Sequence, residues 1–274
     1  MGLALEVVSG FVTAPSTTFT GWTLATGNSL TIRNTRLDAQ ILLLNVWALN
    51  QGVGALQIRS PNLHDNVRGI RLDIIASEAK PLLPFGFLEK LIPQDVLIAE
   101  QTGSAAGSDI EQGGLLIFYE DLPGSSARLI RAATVKERMR HILTVENTLT
   151  MGTAGGYSAE EAIDAESDLF KANTDYALLG YLVDGEAGTV RWRGADTGNL
   201  GLGGPGDELG RDFTRSWFFD LARMFDLPLI PVFNSANRGG ILVDATNDEN
   251  ALTLTITSIF AELSPGAGIP PAGG

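Results

Sequence analysis

The alternation of apolar and polar residues along the chain predicts β-strands over most of its length. Thr253–Phe260 alternates with a period of two, so one face of this strand should be buried and the other exposed to water. Ser29–Arg33 follows the same pattern. Ile41–Leu49 is almost continuously apolar, which is typical of a strand covered on both faces, and Tyr176–Val183 looks like its later counterpart.

One segment has the periodicity of a helix instead. Asp212–Phe225 places Phe213, Trp217 and Leu221 four residues apart, which gathers apolar side chains on one helical face. The matching place in the first half of the chain is Pro84–Leu91, which has room for two helical turns at most. We therefore expect a short helix late in each half.

Four sequence landmarks recur in the same order, offset by 134 to 139 residues, and indicate an internal duplication. They are Gly54–Arg59 with Gly188–Arg193, Leu91–Pro93 with Leu229–Pro231, Gly114–Glu120 with Ala251–Phe260, and Asn34–Thr35 with Asn173–Thr174. Small loop insertions account for the drift in the offset. The alternative is that all-β chains resemble themselves generically, because glycine and alternation recur in all of them.

The duplication divides the chain into four predicted regions. They are a first domain at 1–125, a basic linker at 126–141, a second domain at 142–263 and a tail at 264–274. The tail contains Pro, Gly and Ala without any charge, so we expect it to be flexible. Gly201–Gly206 lacks the strand–turn–helix context of a dinucleotide-binding loop and is also predicted to be a flexible loop.

Composition narrows the possible chemistry. Only 19% of the 274 residues are charged, below the usual fraction of about 25%, while 32 glycines and 12 prolines favour short strands and many turns. The net charge of −13 argues against general binding of nucleic acid, because phosphate contacts need cationic groups. Cysteine is absent, which excludes disulfides, thiolate zinc sites and cysteine nucleophiles.

The two histidines, His64 and His141, are too few for a histidine-rich metal centre such as that of a two-domain cupin enzyme. A surface-loop position explains His64 without any catalytic role. The apolar runs are much shorter than the roughly 20 residues of a membrane helix, and the N-terminus lacks the basic region of a secretory signal. These features predict a soluble protein made inside the cell.

The predicted linker is the one basic part of an acidic chain. Its five cationic residues are Arg128, Arg131, Lys136, Arg138 and Arg140. Glu137 is the single acidic residue among them. Such a cluster is either a solvated connector or a patch that contacts lipid phosphate or nucleic acid.

With two units of about eight strands and a helix late in the unit, the chain resembles the double jelly-roll major capsid proteins of icosahedral viruses. This lineage includes the adenovirus hexon and, in compact form, coat proteins of tailless bacteriophages. The resemblance covers Leu5–Leu263 and rests on architecture, size and duplication rather than on a sequence motif. It implies an all-β fold of two tandem eight-stranded antiparallel jelly rolls, with a short helix inserted late in each.

The same resemblance implies a structural role in a virion. Three copies would form a homotrimeric, pseudo-hexameric capsomer of an icosahedral shell, in contact with neighbouring capsomers and minor virion proteins. The basic linker would face an internal membrane or the genome. The protein would be made in the host cytoplasm, with no enzymatic activity, small-molecule substrate or cofactor.

Two other possibilities stay open at this stage. A carbohydrate-binding, lectin-like β-sandwich, such as a viral attachment or spike protein, would need exposed aromatic rings, for which Trp22 and Trp192 are the candidates. The acidic turns Asp184–Glu186 and Asp244–Asn250 offer oxygen ligands for a structural calcium ion, although neither fits an EF-hand loop.

Overall fold

The computed structural model describes residues 2–63, 67–74, 80–81, 88–164, 169–207, 211–249 and 252–271. Within them the chain consists mostly of strands in antiparallel sheets, so the all-β prediction is confirmed. His64 lies outside the described residues, and so do residues 84–87 of the segment predicted to be helical. The described part of that segment contains the short strand Glu89–Lys90, not a helix.

The described residues between 4 and 119 contain ten strands, which we call the first unit. They are β1 (Ala4–Thr13), β2 (Thr20–Gly21), β3 (Thr23–Leu24), β4 (Ile41–Leu49), β5 (Gly54–Arg59), β6 (Ile70–Ile74), β7 (Lys80–Pro81), β8 (Glu89–Lys90), β9 (Ile98–Thr102) and β10 (Ile110–Tyr119).

The second unit follows between residues 129 and 263. Its described strands are β11 (Leu129–Ile130), β12 (Met139–Thr150), β13 (Glu161–Ala162), β14 (Asp175–Asp184), β15 (Glu186–Arg193), β16 (Leu202–Asp207), β17 (Ile230–Asn234), β18 (Leu242–Thr246) and β19 (Thr253–Leu263). The helices are α1 (Ala132–Arg138), α2 (Arg211–Thr214) and α3 (Trp217–Phe225), with 3-10 turns at Ala195–Thr197 and Ser235–Gly240.

Each unit contains two sheets, and the two units share one order of strands. Sheet 1 runs β3-β1-β10-β4-β7, with β8 also paired to β4, and sheet 2 runs β2-β9-β5-β6. Sheet 3 runs β11-β17-β14-β19-β12, and sheet 4 runs β13-β18-β15-β16. We count β2 with β3, and β7 with β8, as one interrupted strand each, so that the first unit has eight strands, numbered 1 to 8 in chain order. These strands pair in the orders 1-8-3-6 and 2-7-4-5. When β12 to β19 are numbered 1 to 8 in the same way, the second unit has the same two orders.

The register of the sheets repeats as well as their order. Gln57 on β5 is the partner of Glu100 on β9, and Arg191 on β15 is the partner of Asp244 on β18. Two of the four sequence landmarks lie at equivalent places, on the fourth strand and on the last strand of each unit. The other two do not match in detail. Residues 91–93 follow β8 whereas residues 229–231 run into β17, and residues 34–35 lie well before β4 whereas residues 173–174 directly precede β14.

The sheets stack in the order 2, 1, 4, 3. Helices α1 and α3 pack together beside sheet 3, and α3 also reaches sheets 4 and 1 through Trp217, which donates to the carbonyl of Gly203 and contacts the ring of Trp47. Leu56, Val46 and Leu115 belong to a core between sheets 2 and 1. A larger core contains Trp47 from the opposite face of sheet 1 together with Trp192 from sheet 4 and the helices. Successive side chains of β4 point to opposite faces of sheet 1, so they enter the two cores in turn. Both faces of that strand are therefore buried.

The predicted helix 212–225 is present in two pieces, α2 and α3, separated at Arg215–Ser216. It lies between the fifth and sixth strands of the second unit in the numbering used above. Gly180 on β14 permits this arrangement, because a Cβ there would lie 2.4 Å from the carbonyl oxygens of Thr214 and Arg215. Among the helices of the described residues, none is long and apolar enough to cross a membrane.

The prediction of a flexible loop at Gly201–Gly206 is wrong. Residues 202–207 form β16, which is paired with β15 and largely buried. Glycine is needed there because side chains of the core pack directly against the backbone of β16. A Cβ on Gly204 would lie 2.5 Å from Tyr181 Oη and 2.6 Å from Trp217 Nε1.

We therefore expect Gly204→Ala to lower the free energy of unfolding by about 1–3 kcal/mol, the usual cost of overpacking a filled core. Urea denaturation followed by tryptophan fluorescence measures this change. Gly107→Ala is the matched control, because a Cβ on Gly107 meets nothing within 4 Å. Equal stability of the two variants would contradict the close packing of β16.

Residues 264–271, which composition predicted to be flexible, lie against the second unit. The backbone N–H of Ser264 donates to the carbonyl of Arg138 at 2.8 Å. Further along, the carbonyl of Pro270 accepts two hydrogen bonds from the side chain of Arg128, at 2.7 and 3.0 Å. Ile269 packs beside the larger core. The end of the described chain is thus attached to the start of the second unit.

Candidate functional site

The two units meet along a seam where sheet 1 lies on sheet 4. Trp47 crosses this seam. Its indole is fully buried, and its Nε1–H donates to the carbonyl of Gly188 at 2.9 Å. The ring also meets Trp217 edge to face, with 6.3 Å between centroids. The backbone N–H of Val7 on β1 donates to the carbonyl of Gly201 at 2.7 Å, so the seam also includes direct contact between main chains.

Charged groups at the seam are neutralised within the chain. Arg191 donates from both Nε and Nη2 to the carboxylate of Asp244, and its guanidinium lies 3.5 Å from the centroid of the Tyr157 ring. Ser9 of the first unit donates to the Tyr157 hydroxyl at 2.8 Å. Burial raises the pKa values of Tyr157 and Asp244, and the positive charge of Arg191 opposes both increases.

A polar cleft of about 560 Å³ opens beside this cluster, between residues 26–27 of the first unit and residues 153–160 of the second. Arg193 forms an ion pair with Glu160 there. Because these charged groups already have partners of opposite sign, the cleft presents paired charges rather than a free cationic site.

The five basic residues of the predicted linker do not form a single surface. Arg128 departs most from the prediction of an exposed cationic patch, because its side chain is only 2% exposed. It donates to Asp175 at 3.0 Å and lies 3.7 Å from the fully buried carboxylate of Asp196. Its charge is therefore satisfied inside the second unit, and it is not presented to a membrane or nucleic acid.

Two of the other four residues are in surface ion pairs. Arg131 is half exposed and lies 3.1 Å from the carboxylate of Asp226. Arg138 is less exposed and lies 3.3 Å from Glu137. Arg131 directly precedes α1 and Arg138 is its last residue, so the segment predicted as a linker is built into the second unit as β11, α1 and the start of β12.

Lys136 and Arg140 are exposed. The Lys136 ammonium lies over the ring of Phe219, 6.0 Å from its centroid, while Arg140 stands at the start of β12 next to exposed His141. These two residues, with Arg131, are the members of the predicted cluster that present charge to solvent.

An apolar groove of about 510 Å³ lies beside Lys136 on the outer face of sheet 3. Its apolar lining is Val135, Met139, Ile142, Leu179, Phe219 and Ile259. Met139 and Ile142 are 45% and 59% exposed, which is unusual for large apolar side chains. Sequence patterning missed this groove because it is assembled from α1, α3 and three strands. The one local signal is the apolar pair Met139 and Ile142, which is exposed at the start of the edge strand β12.

The tryptophans proposed for sugar binding have other roles. Trp192 is fully buried, and its Nε1–H donates to Ser258 at 3.1 Å. Trp22 is partly buried and donates to Gln101 at 2.9 Å. Of the acidic turn proposed for calcium, Asp244 pairs with Arg191, as described above. In the part of the chain that the structure describes, no three acidic or histidine side chains are grouped as metal ligands.

Comparison with known proteins places this chain in no family. No family model matches it, and no curated protein does. The solved structures with distant similarity include the following two. The PBSX exported protein XepA is 11% identical, with 93% of this chain and 86% of that chain covered and a TM-score of 0.27. The major capsid protein P2 of bacteriophage PM2 is 5% identical, with 97% and 99% covered and a TM-score of 0.22. Scores this low do not establish a shared fold.

Proposed function

We propose that this chain is a structural virion protein, the major capsid protein of an icosahedral shell. The observation that carries the proposal is the repeated strand order. Eight antiparallel strands paired as 1-8-3-6 and 2-7-4-5 form two packed sheets with Greek-key connections, which is the arrangement of a jelly roll. We infer two tandem jelly rolls in this chain, one in each unit.

The second part of the proposal is a trimer. Three copies of a two-unit chain would bring six similar units around one axis, and such a capsomer would tile a hexagonal lattice. The units are joined by a buried seam, which supports a rigid building block rather than two independently moving domains. Neighbouring capsomers and minor virion proteins are the proposed partners, and the virion capsid is the proposed location, reached after synthesis in the host cytoplasm.

The proposed role involves no chemical step, cofactor or small-molecule substrate. The hydrogen bonds that cross the seam, such as that from Ser9 to the Tyr157 hydroxyl, have positions suited to joining the units. We propose that Arg131, Lys136 and Arg140 face the particle interior, near an internal membrane or the genome. Arg128 and Arg138 are better assigned to holding the C-terminal residues, since both contact residues 264–270.

Electron microscopy of the concentrated, purified chain tests the assembly directly. We expect hexagonal sheets or closed shells built from three-fold lobed particles when ionic conditions favour association. The lobes should number six around each local axis, because each chain contributes two. Aggregates without a lattice, or particles whose lobes are related by two-fold symmetry, would contradict the proposal.

A further inference from the structure

The apolar groove beside Lys136 has no role in the proposed assembly, and its floor is a row of residues that crosses sheet 3. Thr144 on β12 is the partner of Ile259 on β19, and both line the groove. Leu179 continues the row on β14, at the place where the register between β14 and β19 shifts. Neighbouring strands are about 4.8 Å apart, so a floor that spans three strands is roughly 10 Å across.

The walls of the groove are apolar and only partly covered by the protein itself. Val135 from α1 and Phe219 from α3 form one part, and these two helices contact each other. The exposed side chains of Met139 and Ile142 form another. Phe219 is half-buried, as are Leu179 and Ile259 on the floor. A ligand that removes such apolar surface from water is stabilised by the hydrophobic effect.

The direction and size of the groove favour an alkyl chain over a peptide. A peptide that added a strand to β12, at the edge of sheet 3, would run parallel to the strands, whereas the groove floor crosses them. A two-turn helix about 10 Å wide would occupy on the order of 850 Å³. The groove has a volume of about 510 Å³. This value is within the range of roughly 300–1,000 Å³ that is typical of small-molecule sites.

The charges beside the groove favour an anionic head group. Among the ten described residues that line it, Lys136 and Arg215 are cationic and none is acidic, although the whole chain has a net charge of −13. Both cationic residues are exposed. The Lys136 ammonium lies 6.0 Å from the centroid of the Phe219 ring, and Arg215 precedes Phe219 by four residues. An anion at this wall would be attracted by both side chains.

We propose that the groove binds a single-chain anionic amphiphile, the anion of a free fatty acid. The alkyl chain would lie across the strands, on the floor between Ile142 and Leu179. The carboxylate would accept hydrogen bonds from Lys136 and Arg215 at the helical wall. This binding needs only one chain, so it does not depend on the proposed capsid assembly.

Three probes that share one alkyl chain test the head group by isothermal titration calorimetry. They are decanoate, decanol and decyltrimethylammonium, which are anionic, neutral and cationic. Decanoate should bind one molecule per chain, more tightly than decanol, and the cationic probe should bind most weakly. From hexanoate to decanoate, the affinity should rise about fourfold for each methylene group that enters the groove.

Two variants test the site itself. Ile142→Glu places a carboxylate on the apolar wall and should weaken decanoate binding by about tenfold or more. Its matched control is Ile92→Glu, which changes an isoleucine of the first unit that is 46% exposed and does not line the groove. Lys136→Gln should weaken decanoate binding about two- to fivefold and leave decanol binding unchanged. Circular dichroism shows whether each variant is folded as the wild type is.

Several outcomes would overturn the inference. Equal affinities for decanoate and decanol would contradict the assignment of Lys136 and Arg215 to the head group. Binding that Ile142→Glu does not change, or several decanoate molecules per chain, would place the probe elsewhere. If vesicles of phosphatidylglycerol and phosphatidylcholine bound through Ile142 while monomeric decanoate did not bind, the groove would belong to a membrane contact. All these measurements are made on the single chain, so their failure would leave the capsid proposal intact.

Discussion

Replacing Trp47 by alanine should lower the free energy of unfolding by about 3–5 kcal/mol, the usual cost of removing a large aromatic side chain from a filled core. Trp47 is fully buried at the seam, packs against Trp217 and donates to the carbonyl of Gly188. The cavity would lie between the units, where neither can close it without moving the other. Equilibrium denaturation in guanidinium chloride, followed by circular dichroism, measures the loss.

The control for this prediction is Trp47→Phe, which keeps most of the volume and removes the indole N–H. It should cost less than the alanine variant, because the cavity is smaller and the main loss is one hydrogen bond to Gly188. A loss below about 1 kcal/mol for Trp47→Ala would show that the seam contributes little. Two separate unfolding transitions in the wild-type chain would show that the units are not coupled through it.

Replacing Arg128 by methionine should cost about 3–5 kcal/mol, because it leaves a buried charge without its partner. The carboxylate of Asp196 is fully buried and faces the Arg128 guanidinium at 3.7 Å. The same change removes both hydrogen bonds to Pro270, so the residues around Pro270 should be held less tightly, while Ser264 keeps its bond to the carbonyl of Arg138. Thermal or chemical denaturation measures the first effect, and proteolysis near the C-terminus measures the second.

Arg131→Met provides the matched control three residues away. Its pair with Asp226 is on the surface, where ion pairs contribute about 0–1 kcal/mol. The two variants remove the same charge from neighbouring positions in the sequence, so the difference between them isolates burial. Equal losses would contradict the assignment of Arg128 to the interior and return it to the exposed basic cluster.

The duplication and the strand pattern were predictable because they depend on local periodicity. The apolar run at 41–49 and the alternation at 253–260 both lie in strands of the structure, and two of the four repeated landmarks lie on equivalent strands. The division of the helix at 212–225 was not predictable from spacing alone. It follows from the approach of residues 214–215 to Gly180, a contact between distant parts of the chain.

The position of each basic residue could not be predicted from its sequence neighbours. Arg128 and Arg131 are three residues apart in one basic segment, yet one is buried and the other is half exposed. The partners of Arg128 are Asp175, Asp196 and Pro270, 47 to 142 residues away. Strand β16 was predicted to be a loop because of its glycines. Residues without a side chain give no alternation of apolar and polar positions, so the sequence pattern does not indicate a strand there.

The solution mass of the purified chain, measured by light scattering coupled to size exclusion, tests the proposed assembly most directly. The capsid proposal predicts a species of three times 29.1 kDa that associates further as concentration or ionic strength changes. A mass of 29.1 kDa at every concentration and ionic strength would contradict the proposal.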